Sequence, residues 1–190
     1  MTLPDGTQVT TDDGPRAGTT YEKISQLKPV FRPDGTITAG NACPLNDGAA
    51  ALVIMSDTKA KALGLTPLAR VVATAATGLS PPEIMGLGPI EAIRKVLKIS
   101  GMSLSDIDLV EINEAFAVQV LGSANELGID HDKLNVSGGA IALGHPFGMT
   151  GARITTTLLN NLRTQDKTFG IESMCVGGGQ GMAMVLERLS

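Results

Sequence analysis

The chain has 190 residues, 43% of them hydrophobic and 18% charged. That is too apolar for a disordered segment, and long enough for one domain or one domain plus part of another. Fifteen Lys and Arg against nineteen Asp and Glu leave a net charge of -4, so no positive field exists to hold a nucleic-acid backbone. The absence of Trp, with one Tyr and four Phe, argues against base-stacking platforms and aromatic-rich interfaces.

In chain order, residues 1–20 combine Asp5-Gly6, Asp12-Asp13-Gly14-Pro15 and six threonines with almost no apolar periodicity, which reads as an extended lead-in. A short helix is expected from Tyr21 to Leu27, a turn at Pro33-Asp34-Gly35, and a loop from Gly40 to Gly48. Ala49 to Met55 is a continuous apolar run of strand length, predicting a buried strand. Ser56 or Asp57 then caps a short helix that Gly64 stops.

From Leu68 the pattern becomes regular. A β-branched run covers Ala69 to Thr74, and Pro89 opens a helix that Gly101 closes. Ile107 to Ile112 is strand-like, Glu114 to Leu127 is helical up to Gly128, and Leu134 to Ser137 is a short strand. The glycine-rich stretch 138–151 leads into a helix over Ala152 to Leu162. Phe169 to Val176 and Met182 to Leu186 follow, joined by so short a link that an antiparallel hairpin is expected. The order βαβαβαββ over 68–188 predicts an α/β layered domain with a mixed sheet. The 67 residues before it supply one strand and one helix, too little to bury a sheet, and read as the tail of a preceding domain.

The two cysteines, Cys43 and Cys175, are too few for a disulfide framework, and no basic-then-apolar leader is present, so a reducing, cytoplasmic setting is expected. The longest apolar runs stop at seven residues, far short of the ~18 needed to span a bilayer; no membrane partner is expected. Neither glycine loop fits a phosphate signature. Gly139 to Gly144 has P-loop spacing, but His145-Pro146 stands where Lys and Ser or Thr belong, and Gly177 to Gly181 leads into a strand rather than a helix.

The polar residues at strand ends carry more. Pro146 biases His145 toward extended geometry beside Gly144, as a loop would present an imidazole; the bland alternative is a histidine that merely caps or packs. His131, flanked by Asp130 and Asp132, reads as solvated. Cys175 ends an apolar strand beside backbone N–H groups of a glycine turn, where a thiol could act as base or nucleophile and the N–H groups could hold an oxyanion; equally, it could be a small buried apolar residue. Asn113-Glu114 sits where a strand becomes a helix, a place for active-site groups or simply an N-cap. Asn113, His145 and Cys175 each follow a different expected strand, and loops after parallel strands converge on one sheet edge.

Asn113-Glu114-Ala115-Phe116-Ala117, the run 135–146 (NVSGGAIALGHP), and Cys175-Val176-Gly177-Gly178-Gly179-Gln180-Gly181 resemble, in order, the three C-terminal signatures of thiolases. The run 38–50 (TAGNACPLNDGAA) also resembles the family, so the likeness covers essentially the whole chain. Thiolases exchange acyl groups between coenzyme A thioesters, by thiolysis of a 3-ketoacyl-CoA or by the reverse Claisen condensation. The resemblance implies a thiolase-like fold with 1–67 as the C-terminal remnant of the N-terminal domain and 68–190 as the C-terminal domain. It implies an acyltransferase of lipid metabolism and fatty acid β-oxidation type, using CoA as substrate with no permanently bound cofactor and no metal.

By motif, Cys175 would be the general acid/base at the α-carbon. His145 would activate a nucleophilic cysteine and, with a water held by Asn113, stabilise the enolate oxygen; the Gly177 N–H would join a second oxyanion hole. Met85, Ala115, Phe116 and Phe147 would line the acyl or pantetheine channel. Cys43 matches a position where many members place a serine beside the pantetheine arm, and Phe147 is bulkier than the aliphatic residue common there. The family's nucleophilic cysteine and CoA-gripping loop domain belong to its earlier half, so this chain is expected to lack the nucleophile. The expected partners are acyl-CoA and CoA, with either a homo-oligomer or a thiolase N-terminal half. The alternatives are a non-catalytic acyl-CoA-binding or assembly subunit that docks with a separate N-terminal half, and a ketosynthase-type condensing enzyme, which fares poorly because His131 lies in no motif.

Overall fold

The computed structural model describes residues 1–12 and 14–190, and only the backbone of residues 82 and 83; Asp13, part of the expected lead-in, lies outside the described residues. The first 67 residues carry helix α1 (Tyr21–Ile24) and helix α2 (Asp57–Ala62). Ser56 caps α2 by accepting the Lys59 N–H, and Gly64 follows at φ +64°, as the sequence pattern required. The turn at Pro33-Asp34-Gly35 forms, closed by the Gly35 N–H on the Arg32 carbonyl at 3.0 Å.

The expected buried strand at Ala49 to Met55 is not there. The segment makes no ladder with any described residue, and Val53 and Ile54 are 85% and 76% exposed. An apolar run becomes a strand only where a neighbour satisfies its backbone groups, and none of the described segments lies alongside.

The remainder forms strand β1 (Ala69–Gly78), helix α3 (Gly88–Ser100), strand β2 (Leu109–Ile112), helices α4 (Ala117–Leu127), α5 (Ala140–Leu143) and α6 (Phe147–Thr164), and strands β3 (Phe169–Val176) and β4 (Gln180–Arg188). α3 and α4 end on Gly101 and Gly128, both left-handed, the backbone a C-terminal glycine supplies at least cost. The sheet order is β1-β4-β3-β2, with β2 and β3 parallel and β4 antiparallel to both neighbours. The terminal hairpin is therefore as expected, and β1, β2 and β3 all run the same way.

Several boundaries moved, among them the end of α1, at Ile24 rather than Leu27, and three changes bear on the site. Leu134 makes one parallel bridge to Val110 rather than opening a strand. Beyond it Asn135 turns to φ +46°, and its side-chain amide takes the place of a peptide, accepting from the Ile112 N–H and donating to the Ile112 carbonyl, each at 2.8 Å. α4 begins at residue 117 rather than 114 because Phe116 bridges Ala42, with Cys43 N–H on Ala115 O and Ala117 N–H on Asn41 O. α6 begins at Phe147, directly after Pro146, five residues before the expected start at Ala152.

Helices cover both faces. α3 and α4 pack Ile93, Val96, Val120 and Ala124 onto Val110, Ile112, Ile171 and Val185. On the other face Leu158 and Leu162 of α6 meet Leu109 and Leu186. Leu158 lies so close over β3 that a Cβ at Gly170 would come within 2.8 Å of it. Period-2 alternation places Leu109, Glu111 and Asn113 together on the α6 side, and that polar stretch, above the apolar seam, builds the site.

Candidate active site

The parallel register Ile112↔Ser173 continues one step past β2, where the Asn113 N–H donates to the Ser173 carbonyl at 2.9 Å. Asn113 is thus locked, fully buried, at the carboxyl end of the sheet. Cys175, two residues beyond Ser173 on the neighbouring strand, is a buried free thiol opposite Gly181. The chain then turns through Gly178 and Gly179, both at positive φ. Gly177 is exposed, with nothing within 4 Å of where a Cβ would stand.

His145 reaches the same edge from a loop between α5 and α6. Its backbone N–H donates to Asn46 Oδ1 at 3.1 Å, its Nδ1 lies 2.6 Å from Thr150 Oγ1, and its ring meets Phe147 edge-on at 4.9 Å. Gly144 permits this path: φ is +98°, and a Cβ there would collide with the Asn46 side chain. Burial, and then the Arg153 guanidinium, hold the imidazole pKa below its ordinary value.

Arg153 ties the pieces together. From α6 it donates through Nη1 to Glu111 Oε1 and through Nη2 to Asn113 Oδ1, both at 3.1 Å. Since its guanidinium takes the amide oxygen, the Asn113 amide nitrogen is left over, and that buried Nδ2 has no partner among the described residues. Glu172 stands beside Glu111 in the parallel register. Burial pushes Glu111 up to about 7, with Arg153 pulling it back down. Burial pushes Glu172 higher, to about 8; its Oε1 meets the Thr155 hydroxyl at 2.8 Å and its Oε2 has no partner among the described residues. The Thr155 hydroxyl is also 2.8 Å from the Gly151 carbonyl, so its single proton cannot serve both. A protonated Glu172 resolves this by donating to Thr155 while Thr155 donates to Gly151.

Cys43 is half-buried and joined to the edge through the Ala115 carbonyl at 3.1 Å. Burial raises the pKa of both thiols, and the neighbouring Cys43 adds to the effect on Cys175. Ala115 is buried, and Phe116 packs edge-on against Phe31 at 6.0 Å. Met85 lies in the 3-10 turn Pro82–Leu87 that follows β1, and Phe147 is 78% exposed. An open groove of about 390 Å³ is lined by Leu45, Asn46, Asp47, His145, Pro146 and Phe147. It runs in front of His145, whereas Asn113 and Cys175 do not line it.

The structure thus brings Asn113, Ala115, Phe116, Cys43, His145 and Cys175 to one sheet edge, although His145 arrives by a loop rather than from a third strand. Among the described residues no group of three or more His, Cys, Asp or Glu side chains could hold a metal ion, and no helix is long and apolar enough to cross a membrane. Sequence reasoning passed over Thr150, Arg153, Glu111, Glu172 and Asn46. The one local signal was two polar residues, 111 and 113, on the same face of an otherwise apolar strand; the partners of the others lie far off in sequence.

This geometry has known counterparts. Residues 65–188 match the model of the thiolase C-terminal domain and residues 2–58 that of the thiolase N-terminal domain. An acetyl-CoA acetyltransferase of Escherichia coli is 55% identical over 179 residues, 94% of this chain and 45% of that protein. The crystal structure of the Bacillus anthracis acetyl-CoA acetyltransferase superposes with a TM-score of 0.91 at 54% identity, covering 94% of this chain and 45% of its own. Human mitochondrial 3-ketoacyl-CoA thiolase in complex with CoA gives a TM-score of 0.88 at 46% identity, covering 96% and 46%. The chain spans about half the length of the relatives it matches. Two family models in their natural order, half-identical relatives and a mixed α/β sheet of the same form establish that this chain belongs to the thiolase family.

Proposed function

We propose that the chain supplies the acid/base and oxyanion groups of a CoA-dependent acyltransferase, acting in thiolysis of a 3-ketoacyl-CoA or in the reverse condensation. The observation that carries this reading is the opposite tuning of two groups at one sheet edge: burial lowers the His145 pKa and raises that of Cys175. A neutral imidazole starts as a base and a protonated thiol as an acid, the division of labour that C–C cleavage requires. In thiolysis His145 takes the proton of a nucleophilic thiol supplied by a thiolase N-terminal half. That sulfur bonds to the keto carbon as the bond to the α-carbon breaks. Cys175 gives its proton to the α-carbon. A water held by Asn113, whose Nδ2 has no partner among the described residues, works with His145 on the enolate oxygen, and the Gly177 N–H serves the second oxyanion. Cys43, Met85, Ala115, Phe116 and Phe147 border the acyl and pantetheine path.

Residues 1–67 are read as the end of the family's N-terminal domain and 68–190 as its C-terminal domain, in line with the two matched ranges. The exposed run at Ala49 to Met55, apolar yet unpaired, favours docking onto such a half. Two free thiols suit a reducing, cytoplasmic setting. The deciding assay is thiolysis of acetoacetyl-CoA by the chain, with and without an added thiolase N-terminal half, beside a Cys175→Ala control. Activity that needs the added half and vanishes in the control is the expected result. Activity retained by the control would overturn the role of Cys175, and inactivity of both mixtures would leave a binding or assembly role.

A further inference from the structure

We infer that Thr150 is a positioning residue that fixes which ring nitrogen of His145 carries the proton. The inference rests on the reading of His145 as the base and says which atom acts.

Thr150 lies in the first turn of α6 and is fully buried. Its hydroxyl has two polar neighbours: His145 Nδ1 at 2.6 Å and the Pro146 carbonyl oxygen at 3.0 Å. A hydroxyl has one proton to give. If it went to Nδ1, two oxygens would face each other at 3.0 Å with no proton between them, an unfavourable contact in a buried site. If it goes to Pro146, both contacts are satisfied, because the hydroxyl oxygen then accepts from an Nδ1–H. The proton of a neutral His145 therefore sits on Nδ1, and the lone pair on Nε2 is free to accept one. The partner on one ring nitrogen sets the chemistry of the other. The bond also anchors the ring to a helix, beyond a loop that itself depends on Gly144 and on the Asn46 contact to the His145 N–H. A free histidine side chain prefers the opposite tautomer, so the protein must impose this one.

The chain has two histidines, so a His131→Gln background leaves a single imidazole to observe by 15N NMR at about pH 8, above the ordinary imidazole pKa of ~6.5. The expected spectrum shows His145 protonated at Nδ1. Thr150→Val, which swaps the hydroxyl for a methyl group of similar size, is expected to move most of the population to Nε2–H, and Thr150→Ser to restore Nδ1–H. A wild-type ring protonated at Nε2, or a Thr150→Val ring unchanged from wild type, overturns the inference; should the valine variant not fold, the wild-type and serine spectra still decide. In the mixture with a thiolase N-terminal half, Thr150→Val is expected to lower kcat by about tenfold or more with little change in KM, and serine to recover it. An inactive wild-type mixture would count against the proposed function while the tautomer spectrum still tested Thr150, so the two failures remain distinguishable.

Discussion

Replacing Glu172 by Gln should remove a penalty that grows with pH. In the unfolded chain this carboxyl titrates near 4.5, and in the folded protein burial raises it to about 8. Below about 4.5 both states hold the proton and no penalty exists. As pH rises toward 8 the unfolded state ionises while the folded state keeps its proton, so stability falls, and above 8 the loss is complete. Each pH unit in that window is worth about 1.4 kcal/mol. Three units, with both ends partly titrated, give roughly 3 kcal/mol lost between pH 5 and 8 from this group. Gln never ionises and can turn its amide N–H toward the Thr155 hydroxyl, as the protonated carboxyl does. Urea unfolding followed by circular dichroism across pH 5 to 8 should show a steep decline for the wild type and a flatter one for Glu172→Gln. The variant should be the more stable at pH 8 by a few kcal/mol, or roughly 6 to 12 °C in Tm for a protein of this size. Glu111 titrates in both proteins and largely cancels. Equal pH slopes, differing by less than about 1 kcal/mol across the range, would show that Glu172 is not buried as a neutral acid.

Two further outcomes follow from the same cluster and the neighbouring thiols. Arg153→Met leaves Glu111 buried without its cation and should cost about 3 to 5 kcal/mol near pH 8 but clearly less at pH 5, where the carboxyl is protonated; adding Glu111→Gln should recover most of the loss, and a pH-independent cost would refute the ion-pair account. Since burial raises both thiols, iodoacetamide at about pH 7.5 should alkylate Cys43 and Cys175 more slowly than free cysteine, whose pKa is near 8.5; peptide mass spectrometry showing Cys175 reacting faster would mean that its thiolate is stabilised rather than suppressed.

Much of this protein was legible residue by residue, because the signals were local. A helix that ends on Gly101 or Gly128 needs only a backbone free to turn left-handed. Two apolar runs joined by Gly177-Gly178-Gly179 must fold back on each other. The family motifs were likewise readable as words, with Asn113, His145 and Cys175 inside them. Tertiary structure decided what depends on a neighbour. Ala49 to Met55 has the composition of a buried strand yet stays exposed, since pairing needs a second chain segment alongside. Phe116 leaves the helix that its sequence predicts because residues 41–43 bond to residues 115–117. No periodicity places Arg153 between Glu111 and Asn113, or Glu172 where water cannot reach it. Periodicity and capping are properties of a short stretch, whereas desolvation and hydrogen-bond partnership arise only when distant stretches meet. The tuning of His145, Cys175 and Glu172 belongs to that second kind.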